Sequence, residues 1–221
     1  MDTFIPYSPP KRSLAEAKSR AKELHAFMEG RRTVRKFSDQ PVPREVIEHI
    51  ILTASTAPSG AHKQPWTFCA ISDPALKQEI RIGAEAEEKR NYESRMSESW
   101  KEDLKPFGTN EHKPFLEIAP WLIVVFKKAY DLKDGEKFNN YYVNESVGLA
   151  SGFLLQAIYN AGLVSLTHTP SPMKFLTKIL GRPENERPFL LIPVGFPAEG
   201  TSVPNLQRKP LEEVSAFYEE E

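Results

Sequence analysis

Thr56-Ala-Pro-Ser-Gly-Ala-His-Lys-Gln-Pro-Trp66 is a stiff polar stretch between two regular elements. Before it, residues 43–57 place Val46, Ile47, Ile50, Ile51 and Ala54 at helical spacing, with Pro43 suited to a first helical turn. After it, residues 67–72 read as a buried strand. Pro58 and Pro65 fix the backbone at both ends, while Gly60 and Ala61 leave room for a flat ligand to reach the main-chain amides. Taken alone, the stretch reads equally as a tight helix-to-strand connection.

Two basic clusters shift that balance. Arg31-Arg32-Thr33-Val34-Arg35 holds three guanidinium groups in five residues, and Arg208-Lys209 adds two cations near the C-terminus. Guanidinium forks match phosphate oxygens. An early Arg-rich segment, a Pro-Ser-Gly loop and a late Arg together resemble the flavin site of the nitroreductase superfamily, over about residues 28–210. Four stretches in order resemble its iodotyrosine deiodinase branch more specifically. They are Thr56-Ala-Pro-Ser-Gly-Ala-His62, the helix carrying Glu88 and Tyr92, Ala161-Gly-Leu-Val-Ser-Leu-Thr-His-Thr-Pro170, and Val203-Pro-Asn-Leu-Gln-Arg-Lys-Pro210.

The resemblance implies an α+β nitroreductase-like fold, with a central mixed or antiparallel sheet flanked by helices, and one FMN-binding domain over residues 1–221. It implies an intertwined homodimer with an exchanged C-terminal arm at about 196–221, and a substrate lid at about 84–116. FMN would lie against Arg31, Arg32, Thr33, Val34, Arg35 and Arg208, with Pro58 and Ser59 beside its ring and Thr167, His168 and Thr169 along the other edge. Many nitroreductases carry a Glu- and Gly-rich loop at that edge, where this chain has Thr-His-Thr. A Thr169 hydroxyl on flavin N5 would favour one-electron steps over hydride transfer. The implied activity is reductive dehalogenation of halotyrosines such as 3-iodotyrosine and 3,5-diiodotyrosine. The Ala61 amide would hold the phenolate, Glu88 the ammonium, and Tyr92 and Lys113 the carboxylate side.

The residues around Glu88 bear on this independently. Leu76, Ile80, Ala84, Glu88, Tyr92, Met96, Trp100 and Leu104 recur every four residues, so Glu88 interrupts an apolar and aromatic ridge. Read by itself, the run Glu85 to Arg90 is a solvated charged face. Read with the ridge, Glu88 and Tyr92 look into one pocket, and Lys113 folds back to meet them beyond Pro106-Phe107-Gly108.

The rest of the chain divides simply. Residues 1–12 are a Pro-rich arm, and Ser13 caps a helix to Met28 closed by Gly30. One helix is expected from Asp73-Pro74 to Leu104, strands at 121–126, 163–166 and 189–195, and a polar turn at 131–137. Residues 140–160 read as a core helix and dimer contact, 173–180 as a further helix, and 211–218 as a helix-like end to an extended tail.

Composition excludes several classes. A net charge of -1 gives no case for nucleic acid or an anionic membrane. The single Cys69 sits in a strand pattern and reads as core. No His or Cys spacing suggests a metal, and no Gly-x-Gly-x-x-Gly, phosphate loop or Gly-x-Ser-x-Gly elbow is present, so redox chemistry falls to a cofactor. The longest apolar run, 147–158, is too short to span a bilayer. Vertebrate members of the resembled branch carry an N-terminal membrane anchor, and these first residues carry no apolar core, so a soluble cytoplasmic protein is expected. The electron donor is left open between NAD(P)H and a reductase or redox protein. Three rival readings stay open: a general NAD(P)H-dependent nitroreductase or quinone reductase, a non-catalytic flavin or amino-acid binder, and flavin-fragmenting chemistry, against which the amino-acid-complementary trio argues.

Overall fold

The computed structural model describes residues 4–219, so the outermost residues of both expected arms, 1–3 and 220–221, lie outside the described residues. The chain forms two compact units, one up to Arg32 and one from Thr33 onward.

In the first unit an extended segment leads to α1 (Leu14–Glu29). The Glu16 N–H donates to Ser13 Oγ at 3.2 Å while the Ser13 N–H donates to Glu16 Oε2 at 2.7 Å, a reciprocal cap that starts the helix where the sequence predicts. No residue of α1 is buried, and Leu24 and Phe27 are exposed.

The second unit runs α2 (Arg44–Ala54), β1 (Trp66–Ile71), α3 (Pro74–Arg90), α4 (Glu98–Leu104), α5 (Phe115–Ile118), β2 (Trp121–Lys128), β3 (Tyr130–Lys133), β4 (Glu136–Asn139), α6 (Val143–Asn160), β5 (Val164–Ser165), α7 (Lys174–Ile179), β6 (Glu186–Gly195) and α8 (Leu211–Val214). The main sheet has the order β1-β2-β6-β5, with every named pair antiparallel. Residues 122–126 of β2 are wholly buried because helices cover both faces of the sheet. Ile123 and Val125 pack with Ile47 and Ile50 of α2 and with Ala150, Leu154 and Ile158 of α6. Leu122, Val124 and Phe126 pack with Ile80 and Ala84 of α3, Leu116 of α5 and Leu176 of α7. At Gly83 a Cβ would stand 2.5 Å from the Phe175 ring, so only glycine lets α3 approach α7 this closely.

Three sequence expectations are corrected. The helix expected over 73–104 breaks. It passes through a π turn at Asn91–Arg95 and turns extended at Met96 (φ -79, ψ 133), and Ser97 then caps α4 by accepting from Trp100 N at 3.2 Å. Serine competes with the helix for its own backbone bonds and so starts a new one. The polar turn expected at 131–137 is a hairpin, closed by Asp134 (φ 52) and Gly135 (φ 83), both in the left-handed region as a two-residue β-turn of this kind requires. The terminal helix stops at Val214, and residues from 205 to 219 are exposed. Among the described residues no helix is long and apolar enough to cross a membrane.

Candidate active site

The break after α3 shapes a cavity of about 700 Å³. Its walls include Glu88, Tyr92, Lys113, Arg35 and the segment Thr167 to Thr169. Asp73 starts the helix that aims Glu88, accepting from Leu76 N at 2.8 Å. Lys113 returns to that helix because Glu85 Oε1 accepts its main-chain N–H at 2.6 Å. Burial pushes the Glu85 carboxyl up, but the bonds from Lys113 and Arg81 outweigh it and hold the group below its ordinary value.

Glu88 Oε2 and Lys113 Nζ stand 3.2 Å apart, with side chains only 10% and 4% exposed. The ammonium also donates to Thr109 Oγ1 at 3.1 Å and to the Asn110 carbonyl. Glu88 is therefore not part of a solvated face, although Lys89 and Arg90 beside it are exposed. Tyr92 donates to the Thr109 carbonyl at 3.2 Å, and the Lys113 ammonium lies 6.0 Å from its ring centre. Burial raises the Tyr92 phenol, so it remains a neutral donor at neutral pH. A buried ion pair costs desolvation that its attraction only partly repays. One that lines a cavity offers a separable anion and cation.

Arg35 meets the cavity half-buried, and among the described residues no carboxylate pairs with it. Its guanidinium lies 5.5 Å from the Phe107 ring centre, and burial lowers its pKa. A desolvated cation without an anion is a binding element for one.

The segment Thr167 to Thr169 runs extended beside β6. The His168 N–H donates to Leu191 O at 2.9 Å, and the Leu191 N–H donates to His168 O at 3.0 Å. Alternation then leaves Thr167 and Thr169 exposed and turns His168 inward. His168 packs edge-on to Phe115 with ring centres 5.9 Å apart, and among the described residues its buried Nε2 finds no partner. Burial first, then Lys113 and Arg35, lower its pKa to about 3.

That shift has a testable sign. The unfolded chain takes up a proton at His168 below its ordinary value of 6.5 and the folded chain does not, so stability falls as pH drops from 6.5 towards about 3. The other groups with resolved downward carboxyl shifts, Glu16, Glu85 and Glu186, lie below 4.5. Between pH 4.5 and 6.5, His168→Gln should therefore remove about 1 kcal/mol per pH unit from the slope of unfolding free energy. An unchanged slope in urea unfolding would contradict this account of His168.

The remaining expected site residues stand elsewhere. Val34 is buried in the core and its N–H donates to Ser165 O at 3.1 Å, so it offers neither side chain nor amide. Thr33 bridges to Ser165. Arg31 and Arg32 close the first unit, and Arg208 lies on the exposed tail. Pro58, Ser59 and Ala61 do not line this cavity. Their loop is nonetheless shaped for contact: Ala61 and His62 take φ of 49 and 54, and Ser59 Oγ accepts from Gln64 N at 2.9 Å. Backbone in the left-handed region at non-glycine residues is held only where surroundings enforce it. Asn91, Arg95, Thr109 and Ser171 line the cavity without having been singled out in the sequence. Only the Gly108 break before Thr109 hints at any of them.

Known proteins share this fold and much of this sequence. The nitroreductase family profile matches residues 28–196. An iodotyrosine deiodinase of Haliscomenobacter hydrossis is 64% identical over 216 residues, covering 97% of each chain. Human iodotyrosine deiodinase 1 is 44% identical over 214 residues, covering 95% of this chain and 73% of its own. A crystal structure of oxidised iodotyrosine deiodinase bound to FMN and 3-iodo-L-tyrosine superposes with a TM-score of 0.77 at 32% identity, over 88% of this chain and all of the other. The antiparallel sheet flanked by helices, the cavity under the broken α3–α4 segment and these identities together make the chain a member of the nitroreductase family, in its iodotyrosine deiodinase branch.

Proposed function

We propose that the protein binds FMN and reductively dehalogenates halotyrosines, 3-iodotyrosine foremost. The observation that carries this reading is the buried Glu88–Lys113 pair at 3.2 Å in the cavity wall. A free amino acid brings an ammonium and a carboxylate, and can exchange with such a pair charge for charge. General nitroaromatic or quinone substrates have no use for it.

The residues present fit FMN. Among the described residues Arg35 lacks an anion, and Thr167 and Thr169 are exposed at the cavity edge. Arg31, Arg32, Thr33 and Arg208 complete the set for the phosphate and ribityl chain in this reading, with Val34 contributing packing. Pro58 and Ser59 would flank the ring, His168 would support the edge from behind, and Thr169 would donate to N5. Bound and reduced, the cofactor supplies two electrons in single steps.

The chain's own groups bind and orient. Glu88 takes the substrate ammonium, Lys113 and the neutral Tyr92 phenol take its carboxylate, and the Ala61 N–H holds the phenolate oxygen. Ordering residues 84–116 over the ring excludes water. At the ring carbon the C–I bond breaks and a C–H bond forms, consuming two electrons and one proton and releasing iodide.

The loop bearing Ala61 does not line the cavity bearing Glu88, which supports a homodimer in which the two come from different copies. The exposed face of α6, with Leu149 and Phe153 beside Gly148 and Gly152, supports the same assembly. So do Leu206, Leu211, Val214 and Phe217 on the exposed tail. Sedimentation should give twice the mass of the chain, and Phe153→Glu should yield a monomer with little bound FMN. A wild-type monomer would contradict the shared site.

With dithionite as reductant, iodide release from 3-iodotyrosine should exceed nitroaromatic reduction by the same preparation. The reverse order would leave a general flavin reductase.

A further inference from the structure

We infer that Asn91 and Arg95 are positioning residues that lock the substrate clamp to the segment carrying Thr169, an assignment that rests on the function proposed above. Asn91 lies between Glu88 and Tyr92 and is only 7% exposed. Its Nδ2 donates to the Ser171 carbonyl at 3.2 Å, across 80 residues of sequence. Arg95 Nη1 donates to Asn91 Oδ1 at 3.2 Å, to the Ser171 carbonyl at 3.4 Å and to Glu87 Oε2 at 2.8 Å. Arg90 holds the other Glu87 oxygen at 2.8 Å. Ser171 N in turn donates to Thr169 O at 2.7 Å.

A continuous path therefore runs from the end of α3 through one carbonyl to the residue expected beside flavin N5. The π turn at Asn91–Arg95 makes this possible. Its extra residue in the turn brings Asn91 and Arg95 to the same carbonyl while Tyr92 still faces the cavity. Without the lock, Glu88 and Tyr92 would keep their chemistry but not their distance from the flavin edge. The lock acts only on ligands that use the clamp. It should therefore matter for a halotyrosine and not for a halophenol, which carries the ring without the zwitterion.

The test uses oxidised FMN-loaded protein, with ligand binding followed by quenching of flavin fluorescence, so no turnover is needed. Asn91→Ala and Arg95→Ala should each raise the Kd for 3-iodotyrosine at least fivefold while leaving that for 2-iodophenol within twofold and FMN content unchanged. The double variant should be little worse than the worse single one, because the two residues act as a unit. Equal weakening of both ligands, or no weakening of either, overturns the lock. Failure of the wild-type protein to bind 3-iodotyrosine overturns the functional reading itself, and is a separate outcome.

Discussion

Lys113→Ala should abolish useful affinity for halotyrosines and destabilise the fold at once. Truncating one partner of a buried charge pair costs about 2–5 kcal/mol of binding, a loss of roughly 30- to 4,000-fold. Stability should fall by about 3 kcal/mol, since Glu88 is left as an uncompensated carboxylate and the Thr109 and Asn110 acceptors lose their donor. The two effects separate in a double variant. Glu88→Gln with Lys113→Met removes both charges and should recover most of the stability seen in urea unfolding. It should recover little of the affinity for 3-iodotyrosine, because neither charge remains to pair with the zwitterion and only the neutral Tyr92 phenol is left. Recovery of affinity along with stability would show that the pair is structural.

Gly60→Ala should weaken FMN binding about 10- to 100-fold. A Cβ at Gly60 would stand 2.9 Å from both the Tyr141 carbonyl oxygen and Tyr142 Cδ2. The loop would have to move off the start of α6, breaking the bond from Gly60 N to Ser146 Oγ at 3.3 Å. Overpacking of this kind costs about 1–3 kcal/mol, and each 1.4 kcal/mol is tenfold in affinity. The movement falls on the neighbours of Pro58, Ser59 and Ala61. Flavin content after dialysis measures it; unaltered content would mean that the loop is no part of the flavin site.

Local signals were legible in the sequence and distant ones were not. Ser13 with Glu16, and Asp73 before Pro74, announce helix starts because a cap is closed by residues three apart. The run at 121–126 announces a central strand because both its faces are buried. The break at Met96 was hidden, since the four-residue ridge continues unbroken across it. Tyr92, Met96, Trp100 and Leu104 still line the cavity, but from a π turn, the extended break and the separate helix α4. The hairpin at 130–139 carried its signal in Asp134-Gly135, masked by strands that are half charged and mostly exposed.

The site divides along the same line. The ridge through Leu76, Ile80 and Ala84 points to Glu88 as buried, although its charged neighbours point the other way. Nothing local marks Asn91, whose partner is 80 residues distant, or says that Val34 is buried with its N–H donated to Ser165. Nor does the order of residues say that Ala61 stands outside the cavity that Glu88 lines. That placement appears only once the chain is folded, and it is what favours a second copy in the proposed site.

The most direct test is a single turnover without air. Protein loaded with FMN and reduced by dithionite is mixed with 3-iodotyrosine, and flavin reoxidation is followed while iodide and tyrosine are quantified. The account expects one iodide and one tyrosine for each flavin reoxidised, with both products lost in Glu88→Gln and Lys113→Ala. Reduced flavin that persists with 3-iodotyrosine yet is rapidly reoxidised by a nitroaromatic would contradict it.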